Sequence, residues 1–268
     1  MSIAMQIETE NAVPAASNPI IEVKGISKIY GSDIVALENI DLAFEEGQLT
    51  SLLGPSGCGK TTLLKIVAGL LKPSHGEILV KGKKVHGPGP ERAFVFQDFA
   101  LMPWANVMQN VAFGLKMQGV GKAAREDTAR HYISEVGLSG FEQKFPHQLS
   151  GGMRQRVGLA RALAVNADVL LMDEPFSAVD EQTRRKFQED LMRLREVEKK
   201  TFLFVTHSIE EAVYVSDRIV LLSPRPGRVS QIIDPDIPQD IGPDELRRND
   251  VYLDTVESIW HGIKKYVE

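Results

Sequence analysis

Short apolar runs and one-sided apolar stretches alternate along most of the chain, and their order points to a fold. Residues 20–23 read as a first short strand, followed by a turn-prone segment at 28–32 that holds Tyr30. Ile40, Leu42 and Phe44 alternate with Asp41, Ala43 and Glu45, the period of two expected of a half-buried strand. Residues 49–53 are an apolar run ending in glycines, and Leu63, Leu64, Ile66 and Val67 continue as a helix that stops near Gly69. Pro73 and Gly76 open a hairpin around Lys81-Gly82-Lys83. Residues 93–96 form a short strand ending on Gln97, and Val107, Val111, Phe113 and Leu115 predict an amphipathic helix over 106–116. A more polar helix covers 123–136.

Buried strands over 169–172, 202–205 and 218–222 then alternate with helices. One of these is a charged helix from about Asp180 to Glu198 with Phe187, Leu191 and Leu194 on one face. Such alternation predicts a mainly parallel sheet. The antiparallel start and a helical block inserted at about 98–165 set it apart from a plain doubly wound sheet. Residues 1–19, rich in Ala, Ser, Asn and Pro, read as a mobile tail, and 20–228 as the main domain. Pro224, Pro226, Pro235, Pro238 and Pro243 mark a loop-rich C-terminal extension over 229–268. Its one helix is expected from Leu253, Val256, Ile259, Trp260 and Ile263.

With 268 residues, 43% of them hydrophobic, the chain can bury a sizeable core. A formal charge of −5 argues against a nucleic-acid partner. The single cysteine, Cys58, excludes an intramolecular disulfide and fits a reducing compartment. No apolar run reaches the roughly eighteen residues of a membrane span. The first eleven residues carry Glu8 and Glu10 and no basic residue, unlike a secretory signal. A soluble cytosolic protein is expected, reaching a membrane only through a partner.

The loop between the strand at 49–53 and the helix after it is Gly54-Pro55-Ser56-Gly57-Cys58-Gly59-Lys60-Thr61-Thr62. Strand, glycine-rich loop and helix in that order are the context in which G-x-x-x-x-G-K-[ST] binds a triphosphate. Gly54, Gly57 and Gly59 let backbone N–H groups approach the anion, and the helix start turns its positive end toward it. Lys60 brings a charge to the β- and γ-phosphates, and the Thr61 hydroxyl is a Mg²⁺ ligand. The fold class is therefore α/β: a P-loop NTPase core with a mainly parallel sheet, an N-terminal antiparallel β subdomain and an inserted α-helical subdomain. Cys58, beside Lys60 and a helix start, is expected to have a lowered pKa and to be alkylated with loss of activity, MgATP protecting; a small loop-filling residue is the bland alternative.

Asp173 and Glu174 end the strand at 169–172. Asp173 is placed to hold Mg²⁺ opposite Thr61. Glu174 precedes Pro175, which favours an extended backbone and would project its carboxylate toward an attacking water. His207 and Gln97 also end strands, where open α/β sheets bind ligands. His207 either senses the γ-phosphate or is a surface or capping histidine; Gln97 either binds metal and water or faces solvent. Ser150-Gly151-Gly152 before a helix is a second anion site, used by the same subunit or exchanged with another.

In this order, with Ser177-Ala178-Val179-Asp180 between Glu174 and His207, the motifs resemble the ATP-binding subunit of an ABC transporter over about 20–222. The resemblance implies ATP and Mg²⁺, and a head-to-tail homodimer in which Ser150 and Gly152 of one copy close over ATP held by the other's loop. It implies that Tyr30 stacks on adenine and that Asp180 signals across the dimer. It also implies membrane permease partners contacted near Phe99, Leu101, Pro103 and Trp104, indirectly a solute-binding protein, and a place on the cytoplasmic face of the inner membrane. Met153, Leu101-Met102-Pro103-Trp104 and Ser223-Pro224-Arg225-Pro226-Gly227-Arg228 are similar to the nitrate/sulfonate/taurine importer branch. Met153 stands where the family usually has glutamine, Val179 where it has leucine, and Ser208 where aspartate often follows the histidine. Two other classes share the phosphate loop: a soluble ABC-type ATPase, and a kinase that would leave Ser150, Glu174 and His207 without a role.

Overall fold

The structure is a computed structural model describing residues 19–177, 181–237 and 243–265. Nearly all of the tail at 1–19, and Asp180, lie outside the described residues. The chain runs through β1 (Pro19–Tyr30), β2 (Ile34–Glu45), β3 (Leu49–Leu53), α1 (Lys60–Val67), β4 (His75–Val80), β5 (Lys83–Lys84) and β6 (Arg92–Val95). The inserted helices are α2 (Val107–Met117), α3 (Lys122–Glu135) and α4 (Gly151–Ala164). There follow β7 (Val169–Asp173), α5 (Glu181–Glu198), β8 (Thr201–Val205), α6 (Ile209–Val215), β9 (Arg218–Leu222), β10 (Val229–Ile233), α7 (Pro243–Leu246) and α8 (Asp250–Lys264).

Two sheets result. The antiparallel one has the order β2-β1-β4-β5, and the larger one β10-β9-β3-β8-β7-β6. In the larger sheet β9, β3, β8, β7 and β6 run parallel and β10 pairs antiparallel at the edge. Strands β3, β7 and β8 are buried at every position, as expected when both faces of a parallel sheet are covered. Val169 and Leu171 face the layer that holds α1 and the antiparallel sheet, whereas Leu170 and Met172 face the layer of the other helices. That alternation is the period of two of a strand buried on both sides.

The first strand is far longer than the sequence pattern implies. Register shifts, with Gly25 at φ +57°, interrupt the alternation of β1 and hide its length, so Tyr30 ends a strand rather than lying in a turn. β10 lies beyond the boundary drawn at 228, yet it hydrogen-bonds to β9. Its residues are half-buried or, at Ser230, exposed, so no strong apolar pattern marks it. α6 is too short to show a helical period and starts on the Ser208 cap. In α8 the buried residues are Tyr252 and Ile259, whereas the expected Leu253 and Trp260 are exposed. The helix turns Tyr252 toward α6, where its hydroxyl donates to Glu210 O at 3.2 Å. Phe113 of α2 is likewise exposed, while Val107, Val111 and Leu115 are buried.

Candidate functional site

Four neighbouring parallel strands, β3, β8, β7 and β6, end on one edge of the larger sheet. Each delivers part of the expected constellation there: the loop at 54–59 after β3, His207 after β8, Asp173 and Glu174 from β7, and Gln97 after β6.

The phosphate loop has the geometry of an anion cradle. Gly54 sits at φ +151°, and a Cβ on it would come within 2.7 Å of the Leu222 carbonyl oxygen. Gly59 has φ +104° and directly precedes α1 without any side-chain cap, so the first N–H groups of α1 keep their donors for a ligand. Lys60 is only 6% exposed and its Nζ donates to Gly54 O at 2.7 Å and Pro55 O at 3.1 Å. The lysine thus spans the loop from within. Cys58 is 1% exposed, and burial pushes its thiol pKa up although the neighbouring Lys60 pulls it down. The expectation of an activated thiol is therefore corrected: loss of hydration outweighs the cation.

The Thr61 hydroxyl donates to Asp173 Oδ1 at 2.7 Å. Burial raises the Asp173 pKa, opposed first by this hydrogen bond and then by Lys65, while Glu174 adds to the rise. Among the described residues no cluster of three His, Cys, Asp or Glu side chains could hold a metal by itself. One hydroxyl and one carboxylate oxygen suit Mg²⁺ that arrives with phosphate ligands and water.

Glu174 continues the sheet with its N–H donating to Val205 O at 3.0 Å, and then breaks direction. Its φ is +46°, not the extended conformation expected before Pro175. A turn imposes this, because the Glu174 carbonyl accepts from both the N–H (3.2 Å) and the hydroxyl (2.9 Å) of Ser177. A side chain in that region costs about 1 kcal/mol or more. Glu174 Oε2 accepts from Gln97 Nε2 at 3.3 Å and lies 3.4 Å from His207 Nδ1. Gln97 and His207 thus meet at one carboxylate oxygen, and Gln97 contacts Glu174 rather than Asp173.

A support behind His207 was not visible in the sequence. The Thr206 hydroxyl accepts from Ser208 N–H at 3.0 Å and donates to Glu211 Oε2 at 2.5 Å. Arg184 of α5 lies 3.7 Å from Glu211 Oε1. Burial raises the Glu211 pKa, with the Thr206 hydrogen bond and Arg184 opposing. Ser208 caps α6 through Glu211 N–H at 3.2 Å, so serine supplies here the cap an aspartate would.

Of the remaining candidates, Tyr30 borders the end of the loop at 54–62, and among the described residues the others make no hydrogen bond to it. Tyr30 is 40% exposed, its hydroxyl 3.4 Å from Thr62 Oγ1 and Lys28 Nζ 5.2 Å from its ring centre. Ser150 caps α4, its hydroxyl accepting from Met153 N–H at 3.2 Å, and Gly152 is buried behind it. The described hydrogen bonds of Ser150 run within α4. Trp104 is 77% exposed. In the same segment, Arg161 of α4 donates to Ala100 O at 2.7 Å and Phe99 O at 2.9 Å, two residues with positive φ.

The sequence profile of the ABC transporter family matches residues 37–177. An ABC transporter ATP-binding protein of Methanocaldococcus jannaschii is 50% identical over 220 residues, covering 81% of this chain and 82% of the relative. The taurine import ATP-binding protein of Escherichia coli O6:K15:H31 is 53% identical over 210 residues, covering 78% and 82%. Among solved structures, a dimeric bacterial ABC transporter cassette superposes with a TM-score of 0.73 at 34% identity, over 80% of this chain and 98% of the other. A dimeric cassette in a post-hydrolysis state with ADP and Pi bound gives 0.72 at 33%, with the same coverage.

Proposed function

Because the chain belongs to the ABC transporter family of ATP-binding subunits, ATPases that use ATP with Mg²⁺, we propose that it is the motor of an importer and that its solute is taurine, a sulfonate, nitrate or a similar small anion. The solute class rests on the taurine import relative. Two copies close head to tail over two ATP and drive separate permease subunits, which receive solute from a binding protein. The dimeric cassettes among the structural relatives support the pairing. Among the described residues no helix is long and apolar enough to cross a membrane. The import relative supports attachment through the permease on the cytoplasmic face.

The observation that carries the catalytic reading is the meeting of Gln97 and His207 at Glu174 Oε2, beside the Thr61–Asp173 pair. The backbone of 54–62 cradles the phosphates, and Lys60 turns from its carbonyl partners to the β- and γ-phosphates. Thr61, Asp173 and Gln97 would hold Mg²⁺, which would neutralise phosphate charge. Glu174 accepts a proton as water attacks the γ-phosphorus and the bond to the ADP oxygen breaks. His207 donates to the γ-phosphoryl group, and Gln97 orients the water. Tyr30 stacks on the adenine, while Ser150, Gly151 and Gly152 of the second copy complete the phosphate shell. Asp180, outside the described residues, signals between the two sites.

Reconstitution with a permease and binding protein in vesicles tests the reading. ATP inside should drive uptake of labelled taurine or nitrate. ATP hydrolysis that no permease stimulates, and no ATP-dependent uptake, would leave a soluble ABC-type ATPase instead.

A further inference from the structure

The segment Ser223-Pro224-Arg225-Pro226-Gly227-Arg228 connects β9 to β10 and has no role in the chemistry above. It lies against the phosphate loop. A Cβ on Gly227 would fall 2.0 Å from the Cys58 carbonyl oxygen, so strap and loop backbones are in direct contact and only glycine fits. Gly227 N–H donates to Ala36 O, and Gly227 O accepts from Glu38 N–H, both at 3.0 Å, which ties the strap to β2. The Arg228 guanidinium donates to Glu38 Oε2 at 2.6 Å. The strap closes on itself through Ser223 N–H to Arg228 O at 2.9 Å and Arg228 N–H to Ser223 Oγ at 3.0 Å. From this fixed base the exposed Arg225 turns back, and its Nη2 donates to Gly57 O at 3.4 Å.

Several carbonyls of the loop are thereby held. Lys60 takes those of Gly54 and Pro55, Arg225 takes that of Gly57, and Gly227 lies under that of Cys58. In a trans peptide the N–H points away from the C=O. A carbonyl that is held therefore fixes the direction of the N–H in the same peptide. The N–H of the peptide that Arg225 holds, that of Cys58, donates to Pro55 O at 3.3 Å, so Arg225 and Pro55 pin the two ends of one peptide group. When Lys60 leaves its two carbonyls for phosphate, Arg225 still restrains the loop.

We propose that Arg225 is a positioning residue for nucleotide binding: from the strap it holds the Gly57 carbonyl, and with it the course of the loop, and adds a second cation to the phosphate loop. This rests on the reading of residues 54–62 as the ATP site. The full chain, Arg225→Ala and Arg225→Lys are compared by steady-state ATP hydrolysis and by melting without nucleotide. Arg225→Ala should raise KM for ATP about threefold to tenfold, the loss of a long hydrogen bond and of one cation at the loop, with kcat kept within about twofold. Arg225→Lys should recover most of that loss, the deficit of Arg225→Ala should shrink at high salt, and both variants should melt as the parent does. An unchanged KM in Arg225→Ala overturns the proposal. So does a lowered melting temperature that Arg225→Lys fails to restore, because the arginine would then brace the fold rather than the ligand site. Lys60→Ala separates the two readings. If it abolishes ATP binding while Arg225→Ala binds normally, only the role of Arg225 fails. If Lys60→Ala binds ATP normally, the reading of the loop itself fails.

Discussion

The Thr61 hydroxyl donates to Asp173 Oδ1 at 2.7 Å, joining the phosphate loop to the end of β7. The carboxylate is 4% exposed and burial raises its pKa, so the nucleotide-free fold holds a charge it would shed more readily than the unfolded chain. The stability cost has a definite sign. A raised folded pKa means that the folded state binds more protons, so stability is highest below the unfolded pKa and declines as pH rises through the folded one. Asp173→Asn removes that cost while its amide oxygen can still accept from Thr61. We expect the nucleotide-free variant to melt at a higher temperature at pH 7, with hydrolysis reduced about 100-fold or more through loss of the proposed metal ligand. A melting temperature lower than that of the parent would contradict this account of Asp173.

Glu174 combines an unfavourable backbone with a shared carboxylate oxygen, and the two can be separated. Glu174→Gln keeps the backbone and a contact for Gln97 but removes the proposed proton acceptor. Hydrolysis should fall by about 10² to 10⁴, with ATP still bound and the closed dimer accumulating on a sizing column. Steady-state turnover near the parental rate would rule out Glu174 as general base. Glu174→Gly also loses turnover, but at φ +46° it should be stabilised by up to about 1 kcal/mol relative to Glu174→Ala in denaturant titration.

The parts of this site legible in the sequence are those whose chemistry is local. The glycines of 54–59 announce themselves because the loop after β3 needs their backbone freedom, and Asp173, His207 and Gln97 are marked by ending apolar runs. The strands β3, β7 and β8 were equally plain, being buried on both faces. What stayed hidden depends on partners distant in sequence. The Thr206–Glu211–Arg184 support joins two helices and a strand end, and Arg225 meets Gly57 across 168 residues. Local preference also misled at Glu174, where the hydrogen bonds of Ser177 override the extended bias before proline. At Cys58 proximity to a cation suggested reactivity, but burial decides the direction of the shift.

That reversal at Cys58 gives a direct measurement. With its pKa raised and the sulfur enclosed, the thiol should react with maleimide or iodoacetamide far more slowly in the native protein at pH 7.5 than after unfolding in urea. The rate should climb with pH well above neutrality, and MgATP should alter it little because the thiol is inaccessible with or without ligand. Rapid native labelling at neutral pH would show that the loop opens far enough to expose the sulfur.

Ser150 tests whether the site is shared between copies. Its hydroxyl caps α4 and its described hydrogen bonds stay within that helix, so its role in hydrolysis depends on a second subunit. Ser150→Arg places a bulky cation where that subunit's ATP would be covered, at a cap worth about 1 kcal/mol of helix stability. The variant should bind a fluorescent ATP analogue as a monomer with nearly parental affinity while hydrolysis falls to background. In the parent, at low protein concentration, activity should rise with the square of concentration until dimers dominate. Mixing Ser150→Arg with Glu174→Gln sharpens the test. One of the two sites in the mixed dimer pairs an intact loop and Glu174 with an intact Ser150, so mixing should restore part of the activity that neither variant has alone. Activity linear in concentration, together with no rescue on mixing, would place the complete site within one chain.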